Sequence, residues 1–220
     1  MTIQELRKLV SQGEGARLEF KRKATYPVKI MKEVVAFANQ KGGKLLIGVD
    51  DDGTIVGLKD AVEEEFVLEN AIKKHCKPAV NYSLSHVRIT DKRSVLVFDI
   101  EQSEKKPVFL IYNFRRNLGR AYIRIDDKSV QTSREVRKVL QANSSQKDIG
   151  FNYGEHEQAL MHCFKSTSQI NVKDFAARVN IPILKASDIL IRLTIANVLE
   201  VHPTDDGDYF TMKDINRFLS

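Results

Sequence analysis

An apolar run without a charged residue, Leu45–Val49, most constrains how this chain can fold. Side chains along a strand alternate between its two faces, so an unbroken apolar run predicts a strand that is buried on both. A glycine pair at 42–43 precedes the run, and the acidic turn Asp50–Gly53 follows it. Glycine ends helices and permits tight turns, so these residues bound a short buried strand. The run therefore favours an α/β protein.

Other patterns extend this prediction to a mixed α/β (α+β) fold. Thr2 and Glu5 have the spacing of a capping box before a short helix. Pro27 is typical of the first position of a helix, and Ser133 of a helix cap. A further helix is predicted at 61–76. Strands are predicted at 16–21, 54–58, 81–89, 94–100, 108–112 and 121–125.

A change of composition divides the chain. Residues 142–154 are small and polar with two glycines, which is typical of a linker. The helices and the hairpin predicted beyond them follow the order of a winged helix. The sequence thus predicts a domain over 1–142, a linker over 143–154 and a smaller winged-helix domain over 155–220.

Charge is distributed unevenly along the chain. The net charge is +6, from 35 Lys and Arg against 29 Asp and Glu. Residues 151–220 hold 7 basic and 9 acidic residues, so residues 1–150 hold 28 and 20, a net of +8. Within them, 103–147 carries 11 basic and 4 acidic residues. A basic body of this kind predicts a polyanionic partner, DNA or RNA.

Composition also bears on the compartment. No apolar run approaches the roughly 20 residues of a membrane helix, and residues 1–5 show no basic segment leading into an apolar signal. Cys76 and Cys163 are too few for a disulfide framework. We therefore expect a cytoplasmic protein with both thiols free and no membrane partner.

One group of residues has the composition of a catalytic site. Glu19 and Lys21 lie on the same face of a predicted strand, Glu14 precedes it, and Asp50 ends the buried strand. Converging carboxylates can bind Mg²⁺ or Mn²⁺, which activate water for phosphodiester cleavage while a lysine offsets negative charge. Spacing alone favours the simpler interpretation, in which Glu19 and Lys21 are solvated strand residues and Asp50 begins a turn; the catalytic interpretation stays open as the alternative.

A second group has the composition of a nucleic-acid surface. Aromatic and basic residues are interleaved between Tyr112 and Arg124; arginine neutralises phosphates, and tyrosine or phenylalanine stacks on bases. Alternation along 120–125 predicts one basic face, although a solvated amphipathic hairpin fits equally well. The predicted nucleic-acid-binding residues are Lys21, Arg22, Lys23, Arg115, Arg116, Arg120, Tyr122 and Arg124.

Three segments resemble the Schlafen-type, AlbA-like domain: Glu14–Lys21, Ala36–Gly53 and Ile55–Leu58. The string Ala-Phe-Ala-Asn followed by Gly-Gly and Ile-Gly-Val-Asp is long and specific. The strand Tyr122-Ile123-Arg124 before a polar turn and helix is similar to a later signature of that family. The resemblance covers roughly residues 3–140.

The resemblance implies an α/β fold, nucleic-acid binding and, among bacterial members, transcriptional regulation. In animal Schlafens the related core is an endoribonuclease, and Glu14, Glu19 and Asp50 match its three acidic positions. That core joins two lobes and carries a zinc-binding cluster, whereas this chain has one lobe and no such cluster. The missing lobe implies a homodimer.

These observations favour a nucleic-acid-binding transcriptional regulator that is not an enzyme. The first alternative is a metal-dependent endoribonuclease, with Glu14, Glu19 and Asp50 as ligands of Mg²⁺ or Mn²⁺ and Lys21 beside them. The second is a non-catalytic protein-interaction module. The sequence leaves the choice between DNA and RNA open.

Overall fold

The computed structural model describes residues 1–145, 154–204 and 206–213. The chain divides into two units, Met1–Gln131 and Thr132–Ser220. The first unit contains three helices and nine strands: α1 Ile3–Val10, β1 Leu18–Lys21, α2 Pro27–Asn39, β2 Gly43–Ile47, α3 Ala61–His75, β3 Cys76–Lys77, β4 Tyr82–Thr90, β5 Arg93–Ile100, β6 Phe109–Asn113, β7 Leu118–Arg120, β8 Tyr122–Ile125 and β9 Lys128–Gln131.

The centre of the first unit is a four-stranded sheet in the order β1-β2-β5-β4. Strands β1 and β2 are parallel, and the other pairs are antiparallel. Leu46 packs with α1 residues on one face, whereas Leu45 and Ile47 pack with α2 and α3 residues on the other. All three side chains are fully buried. The predicted strand with two buried faces is therefore confirmed.

Three further strands, β3, β6 and β7, form a second sheet, and β8 and β9 form a hairpin. Two side chains at the end of α2 attach this hairpin to the helix. The buried Asn39 amide donates to the carbonyls of Val108 (3.0 Å) and Tyr122 (2.9 Å), and its oxygen accepts from the Val108 N–H (2.7 Å). Gln40 exchanges two hydrogen bonds with the backbone of Arg124 (2.7 and 3.0 Å). The end of α2 therefore positions β8.

Local sequence signals account for the helix ends. The Thr2–Glu5 capping box is present, and Pro27 begins α2 as predicted. Gly42 follows α2 with φ of 72°, and a Cβ there would lie 2.5 Å from the carbonyl oxygen of Ile100. Only glycine fits this position without a clash, because it combines a left-handed conformation with close backbone contact.

The prediction of a strand at 54–58 is wrong. The structure has only isolated bridges there, Val49 to Ile55 and Leu58 to Ser94. The predicted hairpin partner has no free edge to pair with, because β2 already lies between β1 and β5. The segment therefore leaves the sheet instead of returning along it.

The second unit contains four described helices and three described strands: α4 Arg134–Ser145, α5 Glu155–Phe164, β10 Gln169–Ile170, α6 Val172–Val179, α7 Ile183–Ile195, β11 Leu199–His202 and β12 Tyr209–Met212. Its sheet has the order β10-β12-β11. Its core includes the fully buried Leu160, Phe175, Leu190 and Phe210.

Helix α4 packs against α7 within the second unit. Arg134 pairs with Asp188 (2.7 Å), and Ser133 caps α4 by accepting from the Val136 N–H (3.0 Å). The predicted domain limits at 142 and 155 stay predictions. Most of the predicted linker lies outside the described residues. In the part of the chain that is described, no helix is both long and apolar enough to cross a membrane.

Candidate nucleic-acid interface

Strand alternation places Glu19 beneath α2. Its neighbours Leu18 and Phe20 pack with α1 on the opposite face of the sheet. Glu19 is only 5% exposed, and a carboxylate this deeply buried needs compensating charge. Two cations supply it: Lys21 Nζ contacts Oε1 of Glu19, and Arg124 Nη1 lies 2.9 Å from Oε2.

Arg124 is the centre of this network. Its side chain is fully buried, and Nη1 also lies 2.8 Å from Oε2 of Glu33. Nη2 donates to the carbonyl of Gly15 (2.7 Å), and Nη1 donates to Ser129 (3.2 Å). Burial raises the pKa of the Glu33 carboxyl above its usual range, and the hydrogen bond from Ser129 opposes that shift. Arg124 thus holds two carboxylates and two segments of the first unit together.

Glu14 lies at the edge of the network. Its Oε1 accepts a hydrogen bond from the Phe20 N–H (2.8 Å) and lies 3.9 Å from Lys21 Nζ. Burial raises the pKa of the Glu14 carboxyl, and the nearby charge of Glu19 acts in the same direction. The structure therefore brings together three of the four predicted catalytic residues, Glu14, Glu19 and Lys21.

Asp50, the fourth predicted catalytic residue, pairs with Arg22; the distance from Arg22 Nη1 to Asp50 Oδ2 is 3.6 Å. Among the residues that the structure describes, no three His, Cys, Asp or Glu side chains form a group that could hold a metal ion. Arg124 and Lys21 already compensate Glu19, so a cation would have to displace them. The carboxylates in this arrangement do not fit a Mg²⁺ or Mn²⁺ centre.

Beside this network lies a cavity of about 520 Å³ with five cationic side chains in its wall. Three carboxylates also line it, and two are already paired, Asp50 with Arg22 and Glu33 with Arg124. Tyr26 is 65% exposed, with Lys29 Nζ 4.7 Å from the centre of its ring. The five cations are Lys21, Arg22, Lys23, Lys29 and Lys32.

Lys23, Lys29 and Lys32 are the cations of this wall that remain available. All three are exposed, and none makes an ion pair with another described residue. Sequence analysis identified Lys23 but missed Lys29 and Lys32. Their spacing of three on the polar side of α2 is the signal that could have found them, since such residues share one helix face.

The structure exposes only some residues of the second predicted surface. Arg115, Arg116 and Arg120 are exposed on the β6–β7 hairpin. Tyr122 and Arg124 are only 6% and 3% exposed, so the basic face predicted along 120–125 does not include them. The correction has a structural reason: α2 packs on β8, and Arg124 is committed to the buried carboxylates.

Comparison with known proteins identifies one family. The profile described as Schlafen, AlbA_2 matches residues 14–133, just over half of the chain. No protein with curated annotation matches.

Two solved structures show limited similarity. The N-terminal domain of an ATP-dependent DNA helicase RecG-related protein from Nitrosomonas europaea is 26% identical, with a TM-score of 0.43. The match covers 61% of this chain and 93% of that one. A protein from Corynebacterium diphtheriae is 18% identical with a TM-score of 0.42, over 64% of this chain and 33% of that one. Both TM-scores are low.

Proposed function

We propose that this chain, which belongs to the Schlafen AlbA_2 family, binds nucleic acid through its first unit and acts as a transcriptional regulator. The observation that carries the proposal is the cavity wall with Lys23, Lys29 and Lys32. Unpaired cations on one concave surface attract a phosphate backbone, and neutralised phosphates release counterions. Family membership supports a nucleic-acid-related function independently.

The test is a salt titration of binding to duplex DNA and to tRNA. Replacing Lys23, Lys29 and Lys32 with alanine should weaken binding. It should also make the negative slope of log K against log salt shallower by about 2.7 on duplex DNA, at about 0.9 for each lost contact. The matched control replaces three exposed lysines outside the cavity wall, Lys8, Lys92 and Lys105. Unchanged affinity and slope in the cavity variant would show that phosphates do not bind there.

The second unit supports a different role. We interpret its element order as a winged helix whose α7 does not read duplex DNA. Asp188 of α7 pairs with Arg134, and Arg192 pairs with Glu157 at 3.1 Å, so the charges of α7 are largely compensated. Burial raises the pKa of Asp208, which contacts Ser133. A compensated helix packed under α4 favours a structural or protein-binding role for this unit.

We also infer that the protein is a homodimer, because its single lobe corresponds to half of the two-lobed core of the animal relatives. Sedimentation equilibrium should return twice the chain mass of 25.1 kDa. A mass of one chain at every accessible concentration would contradict this inference.

The endoribonuclease alternative is tested separately. Labelled tRNA is incubated with the protein in Mn²⁺ and in chelator. For a binder that does not cleave, we expect intact RNA in both. Cleavage that requires Mn²⁺ and is lost in Glu14→Gln would support the nuclease instead, and would imply a rearrangement of the carboxylates around Arg124.

A further inference from the structure

The hairpin of β6 and β7 presents three large apolar side chains to solvent. Tyr112 is 52% exposed, Phe114 50% and Leu118 42%. The register shifts between Ile111 and Asn113, which leaves Tyr112 as the extra, bulged residue. Exposed apolar side chains grouped at one place mark an interaction site more often than isolated ones do.

A cation lies against each of the two aromatic rings. Arg120 lies 5.2 Å from the centre of the Tyr112 ring, and Lys74 lies 5.6 Å from that of Phe114. The ring of His75 also lies 5.2 Å from Phe114. Because half of each aromatic side chain remains exposed, ring surface is left for another stacking partner.

The two segments that carry these rings and their cations contain basic residues but no acidic ones. Residues 73–78 and 109–120 contain no Asp or Glu. The turn is held by a hydrogen bond from the Arg116 N–H to Asn113 Oδ1 (3.0 Å). The exposed cations of these two segments are Lys73, Lys74, Lys77, Arg115, Arg116 and Arg120.

We propose that this hairpin binds the unpaired bases of single-stranded nucleic acid, with Tyr112 and Phe114 as stacking platforms and the arginines on the flanking phosphates. An unpaired strand offers both exposed base faces and phosphates, whereas a duplex hides its base faces. This inference rests on the proposed nucleic-acid binding but concerns a surface separate from the cavity wall.

The test compares a short single-stranded oligonucleotide carrying 2-aminopurine with its duplex, in the full-length protein. The fluorescence of 2-aminopurine should fall on binding to the wild type, because stacking quenches it. Tyr112→Ala with Phe114→Ala should weaken single-strand binding about fivefold to a hundredfold for each ring, and duplex binding less than about twofold.

Two further variants separate stacking from charge. Val62→Ala with Phe66→Ala is the matched control, because these α3 side chains are 71% and 69% exposed, and it should leave binding unchanged. Arg115→Ala with Arg116→Ala should make the negative slope of log K against log salt for single-strand binding shallower by about 1.4. The aromatic variant should retain the wild-type slope.

Several results would overturn the proposal. These are unchanged 2-aminopurine fluorescence on binding to the wild type, equal losses of single-strand and duplex affinity in the aromatic variant, or no loss of affinity in that variant. Competition by polyglutamate as effective as that by the oligonucleotide would assign the surface to an acidic chain instead. A wild type that binds neither nucleic acid would refute the proposed function as well, whereas duplex binding without quenching would refute this inference alone.

Discussion

Replacing Arg124 with methionine should destabilise the first unit severely. The side chain is fully buried and neutralises Glu19 and Glu33, whose side chains are 7% and 16% exposed. Removing one partner of a buried ion pair costs about 3–5 kcal/mol, because the other charge stays buried. Lys21 still compensates Glu19, so most of the cost comes from Glu33 and from the carbonyl of Gly15, which loses its donor.

This cost is measurable as a shift in thermal unfolding. A unit of 131 residues loses about 3–5 °C of melting temperature for each kcal/mol, so the expected fall is roughly 10–20 °C by circular dichroism at neutral pH. Arg124→Lys should show a smaller fall in melting temperature than Arg124→Met. The fall remains because one ammonium cannot contact both carboxylates and the carbonyl as a guanidinium does. The control is Arg17→Met, an exposed arginine, which should change stability by less than about 0.5 kcal/mol.

A second substitution identifies the source of the loss. Glu33→Gln in the Arg124→Met background should recover part of the stability, since it removes the charge that the arginine neutralised. A wild-type melting temperature for Arg124→Met would contradict the predicted cost. A double variant less stable than the sum of the two single changes would contradict the role of Glu33.

Three further outcomes are expected. Asn39→Ala leaves the carbonyls of Val108 and Tyr122 and the N–H of Val108 without their partner, and should lower the urea midpoint by the equivalent of about 2–4 kcal/mol with an unchanged m-value. The raised pKa of Glu33 means that folding favours its protonated form; its contribution is therefore complete below the ordinary value near 4.5 and is lost as the pH rises through the folded pKa. The stability of wild type relative to Glu33→Gln should accordingly be greatest in acid and decline toward neutral pH, and a constant difference in melting temperature would contradict this. Residues 132–220 alone should fold but show no duplex binding at physiological salt, whereas residues 1–131 should keep most of the affinity of the full chain. A gel shift in which residues 132–220 bind duplex DNA and residues 1–131 do not would assign duplex binding to the second unit.

Local signals were sufficient for many of the elements. The Thr2 cap, Pro27 at the start of α2 and the apolar run 45–49 predicted their elements correctly, because capping, a fixed φ and alternation act over a few residues. The prediction of a strand at 54–58 was wrong because a strand also needs a free edge to pair with. Which edges are free depends on the order of strands in the sheet.

The candidate surfaces divide in the same way. Sequence by itself determined that the body is basic, that Glu19 and Lys21 share a strand face, and that aromatic and basic residues are interleaved near 112–120. Only the tertiary structure decided that Arg124 is buried between two carboxylates and that Lys29 and Lys32 join Lys23 in one cavity wall. Alternation shows which residues share a face of a strand, but burial depends on what packs against that face, and contacts between distant segments settle it.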